Sequence, residues 1–541
     1  MSYFTTRKMF LTHSFELNVE EEEILLKFLL FLENSNVSSI INKYIENNKG
    51  KGGRPNVNYY NLFATIIYGF TFGRDTLRDL EDSCLYDLRY IFLMEQTKVS
   101  YSTFSHFINK VIVPNEKEIF SLLNLQIKKE LNINFDDAFI DGTKFEANAN
   151  KYKFVWKPIT FHKKISLTFF DLLKSNNLCQ SYRFEEFVSS KTVSSSITEL
   201  SINKDLYTQK QYDNLLKALT SILLKVLEYE EKERICGPDR NSYYKTDHDA
   251  TAMALKTDYY SGLGSRMHAA YNTQILVIKG IVFSYYVSQS RSDFTDFIPI
   301  LDDFYKNYNI YPKNVCADAG YGSLYNYEYL NKNNIGNYVK HQSWEGNVSG
   351  SFPDCYRLNE DDTITCLNNK IGYPVTLENR HPKKAKAIFY RVDDCIDCPF
   401  KSYCMKYTKN IDVDNKIFEV IPIFMKHKQQ AEKNLLSVKG IEMRVNRSVQ
   451  VEGIFGNEKQ NRGYTRIRRR GLSKSSTEMM LVILGLNIKK LFNFYSTNKF
   501  PKFWTPPENL ISQEFKKPSA KRLSKKGTRI HNKQYKQAWL V

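Results

Sequence analysis

The stretch Phe139–Asn150, FIDGTKFEANAN, constrains the fold most: an apolar approach with the pattern of a buried strand runs into the carboxylate of Asp141. A buried charge is costly unless something pairs with it. A bound cation is one way to offset it, and its other ligands must then come from elsewhere in the chain. NVCADAGYGS (Asn314–Ser323) repeats the pattern, a short apolar strand ending in Asp318 and a Gly-rich turn. A third carboxylate, Glu452, lies in a predicted helix whose apolar face comprises Val449, Ile454 and Phe455. Strand ends of an α/β sheet are where ligand sites gather. If the three carboxylates converge, an all-oxygen donor set suits Mg²⁺ or Mn²⁺. Two such ions about 4 Å apart can hold the attacking and leaving oxygens of a phosphoryl displacement. Taken singly, a strand-end Asp is commonly a turn former, and a lone helical Glu a solvated face.

At 541 residues the chain exceeds a single core, so several domains are expected. Positions 1–130 carry three- and four-residue apolar spacing and predict an all-helical N-terminal domain for DNA binding or assembly. A basic Gly-rich turn at 47–56 separates helical units within it. Positions 131–342 predict the first part of an α/β core, with 151–260 a polar, irregular elaborated connection that carries one helical run, YDNLLKALTSILLKVLEYEEKE. AAYNTQILVI, Lys279-Gly280 and IVFSYYVSQ read as a hairpin, with Ser292 capping the next helix. Positions 343–438 form a β- and loop-rich, Cys-containing insertion, and 439–495 complete the core with the Glu-bearing helix and a final helix. Positions 496–541 are a basic flexible tail, suited to nonspecific DNA contact or to solubility.

The net charge of +18 favours a polyanionic partner, nucleic acid or an anionic membrane face. Lys27 interrupts the apolar run EILLKFLLFLE, and MSYFTTRKMF lacks the core of a secretory signal. A soluble cytoplasmic protein with no membrane partner is therefore expected. Downstream of Glu452, Lys459 is followed by Arg462, Arg466, Arg468, Arg469 and Arg470, with Tyr464 among them. Such residues neutralise phosphates, and an aromatic ring can stack on an unpaired base.

Nine cysteines, an odd number, do not form a secreted disulfide framework. Cys366, Cys395, Cys398 and Cys404 contain one CxxC and are candidates for a structural Zn²⁺, with Cys355 a competing fourth ligand. Unligated thiols are the alternative. Cys84, Cys179, Cys236 and Cys316 read as structural, and His248 and His268 have no partner at metal-ligand spacing.

Together FIDGTKFEANANKYKFVWK, CADAGYGS and VEGIFGNEKQNRGYTRIRRRG resemble the three acidic motifs of bacterial insertion-sequence transposases of the DDE class. GRPNVNYYNLFATIIYGFTFGRDTLRDLEDSC, TDHDATAM and NIKKL are also similar to one group of these, so the resemblance spans most of 50–495. It implies an RNase H-like mixed sheet flanked by helices, with the first Asp on the first strand, the second after the fourth, and the Glu on a later helix. It further implies that Asp141, Asp318 and Glu452 bind two Mg²⁺ (or Mn²⁺) ions. The implied activity is cleavage of double-stranded DNA at inverted terminal repeats and strand transfer into target DNA by a homodimer or higher oligomer at the nucleoid. Lys459 matches the family's basic residue seven positions after the Glu. The chain departs where related groups place a Tyr and an Arg before the Glu: Arg444 and Arg447 are the nearest candidates, and position 448 is Ser. DGT also occurs in haloacid-dehalogenase phosphatases, but their nucleophilic Asp would stand at Phe139. A silent domesticated DNA-binding protein and a nuclease without strand transfer remain the alternatives.

Overall fold

The computed structural model describes residues 19–47, 57–178, 182–255, 266–350, 353–376, 387–406 and 414–507. Most of the turn expected at 47–56, Cys179 and the tail beyond 507 lie outside the described residues. The chain divides into two units, 1–134 with 476–501, and 135–475 with 502–541.

The first unit is helical, as its periodicity predicts, with helices that include Val19–Asn34, Tyr59–Thr71 and Glu116–Glu130. The apolar run after Glu23 buries Leu25, Phe28, Phe31 and Leu32 in its core. No single helix among the described residues is long and apolar enough to cross a membrane. From Ser476 onward the final helix, Leu472–Thr497, lies in this helical unit. Met479 through Leu484 are all buried. A helix apolar on every side needs a surrounding bundle, not one sheet face. Within that bundle Asn487 of NIKKL donates to Asn124 Oδ1 at 2.9 Å.

The second unit begins with β1 (Asp137–Glu146) and a small ribbon in which β2 (Phe154–Trp156) pairs with β3 (Ser242–Tyr244). β4 (Thr251–Ala254), β5 (Met267–Ile278), β6 (Ile281–Ser288), β7 (Asn314–Ala317) and β8 (Gly336–Val339) come next. The main sheet runs β4-β5-β1-β7-β8, with β6 also paired to β5. β5 is antiparallel to its three neighbours, whereas β1, β7 and β8 run parallel. The predicted hairpin is β5–β6, and Lys279 and Gly280 have φ of 48° and 77°, the two positive angles of a type I′ turn. Ser292 makes no capping bond; a 3₁₀ turn at Asp293–Thr295 intervenes and the helix Phe297–Tyr308 starts after Asp296.

Between β2 and β3 the described residues form two helices besides the one expected near 212–233. Ile159–Ser175, Ser190–Ile202 and Gln209–Cys236 are helices packed around Phe169, Leu173, Val193, Leu200, Leu219 and Val226. Their Ser-, Thr- and Lys-rich outer faces dilute the apolar period in the sequence. The insertion is an antiparallel meander of β9 (Tyr356–Leu358), β10 (Ile364–Cys366), β11 (Ile371–Val375), β12 (Ile388–Val392) and β13 (Lys416–Val420). Its core holds Ile364, Tyr390, Val392, Phe418 and Val420. The helix Pro422–Leu436 then returns to β8, where Glu432 meets His341 Nε2 at 3.1 Å.

Candidate active site

β1 and β7 pair in parallel with Ile140 opposite Ala317, so Asp141 and Asp318 are the next residues along two adjacent strands. Residues in register on neighbouring strands share a face. The register therefore sets the two carboxylates side by side. Gly142, opposite Gln274, is needed for close approach: a Cβ there would run into the Gln274 amide. That amide donates to Asp293 Oδ1 at 3.0 Å and its carbonyl accepts from the Tyr321 hydroxyl, forming a polar floor beside Asp141.

Glu452 arrives on a helical segment built in four pieces: Val438–Arg447, a π turn at Ser448–Glu452, Gly453–Gly456 and a second π turn at Asn457–Asn461. Each π turn adds a residue to the helical repeat and rotates the rest of the helix about its axis. The apolar face differs accordingly from the one expected. Val449 is 52% exposed, while Val451 is buried with Ile454.

Arg447 joins the carboxylates. Its Nη1 donates to Asp141 Oδ2 at 2.8 Å and its Nη2 lies 3.5 Å from Glu452 Oε1, with only 11% of the Arg side chain exposed. Ser448 Oγ donates to the same Glu452 oxygen at 3.2 Å. Burial pushes the Asp141 carboxyl up; Arg447 and the Gly142 N–H pull it down, and the charges of Asp318 and Asp293 add to the rise. Burial opposes the Arg447 charge, yet Asp141, Asp318, Cys316 and Glu452 outweigh it and raise its pKa. Lys340 Nζ lies 3.9 Å from Asp318 Oδ1.

The basic residues after Glu452 divide into two sets. Lys459 is tied to β1, donating to Thr143 Oγ1 at 2.6 Å and the Lys144 carbonyl at 2.9 Å, with its ammonium 4.6 Å from the Phe145 ring. Arg462 is mostly buried and pairs with Glu458 at 3.1 Å. Thr465 and Ile467 bond the backbone of Glu146, extending the edge of β1, and Arg466 Nε lies 4.0 Å from the Glu146 carboxylate. Arg469 is half-buried, and Arg468 and Arg470 are exposed. Tyr464, expected to offer its ring to a base, is 1% exposed and packs on Phe145. The TDHDATAM motif holds the end of this segment: Asp247 and Asp249 accept the Gly471 and Leu472 N–H groups.

In the insertion, Cys366 ends β10 opposite Tyr356, beside Cys355, and Cys398 donates its N–H to the Cys395 carbonyl in a tight turn. A hydrogen bond between Cys355 and Cys404 lowers the first thiol's pKa and raises the second's. Cys84, Cys236 and Cys316 are buried. Among the described residues no group of three or more His, Cys, Asp or Glu is placed to hold a metal ion. The acidic triad is arranged around a guanidinium instead.

The sequence reading missed Gln274, Asp293, Tyr321 and Lys340. Arg447 could have been found there only as a departure from a spacing.

The fold and site define a mixed α/β protein with an acidic strand-end cluster bordered by arginine and lysine. A transposase DDE domain model matches residues 365–492, and a transposase domain model (DUF772) matches residues 13–110. The two matches support an insertion-sequence transposase of the DDE class. No curated protein and no solved structure matches the chain.

Proposed function

We propose that the chain binds the ends of its own element and catalyses DNA cleavage and strand transfer at Asp141, Asp318 and Glu452. The observation that carries this is the β1–β7 register, which sets Asp141 beside Asp318, with Arg447 linking Asp141 to Glu452. If β4 is taken as an added edge strand, Asp141 lies on the first core strand, Asp318 comes after the fourth, and Glu452 lies on a later helix. That order supports an RNase H-like core. Three carboxylates and no softer donor fit Mg²⁺ or Mn²⁺, which would supply Lewis-acid polarisation of a phosphodiester. Arg466, Arg468, Arg469 and Arg470 would neutralise phosphates along the strand, while Lys459, held on β1, and Arg462, through Glu458, would fix the segment. Assembly on two ends as a homodimer or larger oligomer belongs to the same proposal.

The test is Mg²⁺-dependent cutting of DNA carrying both flanks of the gene, comparing the wild type with Glu452→Gln. Cleavage at matching inverted ends, lost in the variant, is the expected result. Cutting without joining of a pre-cleaved 3′ end would leave a nuclease. Binding without cutting by either protein would leave a silent DNA-binding copy.

For the insertion we propose one structural Zn²⁺ on Cys366, Cys395, Cys398 and Cys404, with Cys355 as the rival fourth ligand. The CxxC turn of Cys395 and Cys398 and the strand-end Cys366 beside Cys355 support this reading. Metal analysis of the purified chain should find about one Zn²⁺ per chain, and a zinc-free folded protein sinks the assignment.

A further inference from the structure

We propose that β2 and the residues leading into it form a stacking surface for unpaired bases of a DNA strand. The choice of DNA rests on the function proposed above, whereas the surface stands on its own geometry. Tyr152, Phe154 and Trp156 are 81%, 44% and 53% exposed. Phe154 and Trp156 are two apart on a strand and so share a face, and their rings meet edge to face at 5.5 Å. Behind them the ribbon is anchored: Tyr243 and Tyr244 of β3 are buried, and the Tyr244 ring lies 6.3 Å from Phe154. The aromatics therefore stand on a fixed support.

Exposed rings alone would not choose between a nucleic acid and a protein partner. The charge of the segment that carries them favours a nucleic acid. Segment 147–158 contains Lys151, Lys153 and Lys157 and no carboxylate. The Lys151 ammonium lies 5.3 Å from the Tyr152 ring. Arg291 donates to Ser242 at the other end of the ribbon, 3.3 Å away. Asn148 joins this surface to the arginine segment, donating to the Arg468 carbonyl at 2.6 Å and accepting from Arg470 Nε at 2.9 Å. The ribbon comes directly after β1, so the surface begins a few residues beyond the strand that carries Asp141.

Interleaved aromatic and cationic side chains suit single strands, because every unpaired base offers a ring face while a duplex hides its own. Tyr464, the aromatic within the arginine segment, is buried and cannot play this part. The occupant is a separated strand, of the kind exposed when an end is opened for cutting.

The experiment measures affinity of the full chain for one oligonucleotide, single-stranded and as duplex, by fluorescence anisotropy. Joint substitution Tyr152→Ala, Phe154→Ala and Trp156→Ala should weaken single-strand binding at least about 100-fold, approaching about tenfold or ~1.4 kcal/mol per ring. Duplex binding should change by less than about threefold, because its phosphate contacts remain. Trp156→Phe should keep single-strand affinity yet lose the quenching of tryptophan emission seen on binding. The proposal is overturned if the triple variant binds single strands like the wild type, or loses both forms equally. It is also overturned if the substitutions only dissociate an oligomer or only abolish binding to anionic vesicles. Wild-type protein that binds neither form of DNA overturns the proposed function too. Intact end cutting with unaltered single-strand binding by the variant overturns this proposal alone.

Discussion

Asp141→Asn and Asp318→Asn should each lower Mg²⁺-dependent cutting of end-bearing DNA about 10³-fold or more, with folding and DNA binding retained. Asn matches Asp in shape, and its Oδ1 can still accept the Gly142 N–H that Asp141 accepts at 2.8 Å. The Asp318 side chain is 52% exposed, so the fold asks little of its charge. Under the proposed function each variant loses an anionic oxygen ligand, and Asp141→Asn also loses the ion pair with Arg447, at a cost of about 2 kcal/mol of stability or less. Polarisation of a phosphate by a bound cation supplies several kcal/mol, and about 4 kcal/mol is a thousandfold in rate. The measurement pairs a cleavage gel with a mobility shift on the same DNA. Cutting within about tenfold of wild type in either variant would remove that carboxylate from the site. A parallel loss of binding would instead point to damaged folding.

The acidic positions were legible because each breaks a local rule. Asp141 interrupts an apolar strand, and Asp318 stands where a short apolar strand meets a Gly-rich turn. The β5–β6 hairpin was legible through Lys279-Gly280 and two β-rich runs. Less could be read around Glu452, because a π turn leaves no mark in a periodic pattern. Val449 and Val451 are both valines, and only the added residue decides which one is buried. The same turn explains why Arg447 did not fit a spacing counted on an α-helix. The packing partners of the last helix were hidden for another reason. Its apolar run says that it is buried, but a run buried on all sides says nothing about which neighbours cover it. Tyr464 likewise sits among arginines in sequence and against Phe145 in space.

Arg447→Met should destabilise the chain in chelator and tighten its hold on Mg²⁺, two effects of opposite sign from one missing charge. The guanidinium is mostly buried between Asp141 and Glu452, and Asp318 adds to the same field. Breaking a fully buried pair typically costs 3–5 kcal/mol and an exposed one below about 1. With Glu452 61% exposed and Asp141 23% exposed, about 2 kcal/mol is the reasonable middle. For a unit of this size that lowers the melting temperature by roughly 3 °C. Met fills similar space, so lost charge rather than a cavity sets the result. The three carboxylates are then unbalanced, and a divalent cation a few ångströms away is attracted more strongly, by about tenfold or more in affinity. Added Mg²⁺ should therefore raise the melting temperature of the variant more than that of the wild type. Arg447→Lys should fall between them, because it keeps the charge and loses the two-pronged fork. Melting curves with and without Mg²⁺ test this without any need for DNA or catalysis. Identical Mg²⁺ shifts in wild type and Arg447→Met would show that the guanidinium is a packing element and not a counter-charge for the acidic cluster. A larger shift in the variant would mean that Arg447 and the metal compete for one set of oxygens, so the site opens for catalysis only as the arginine gives way.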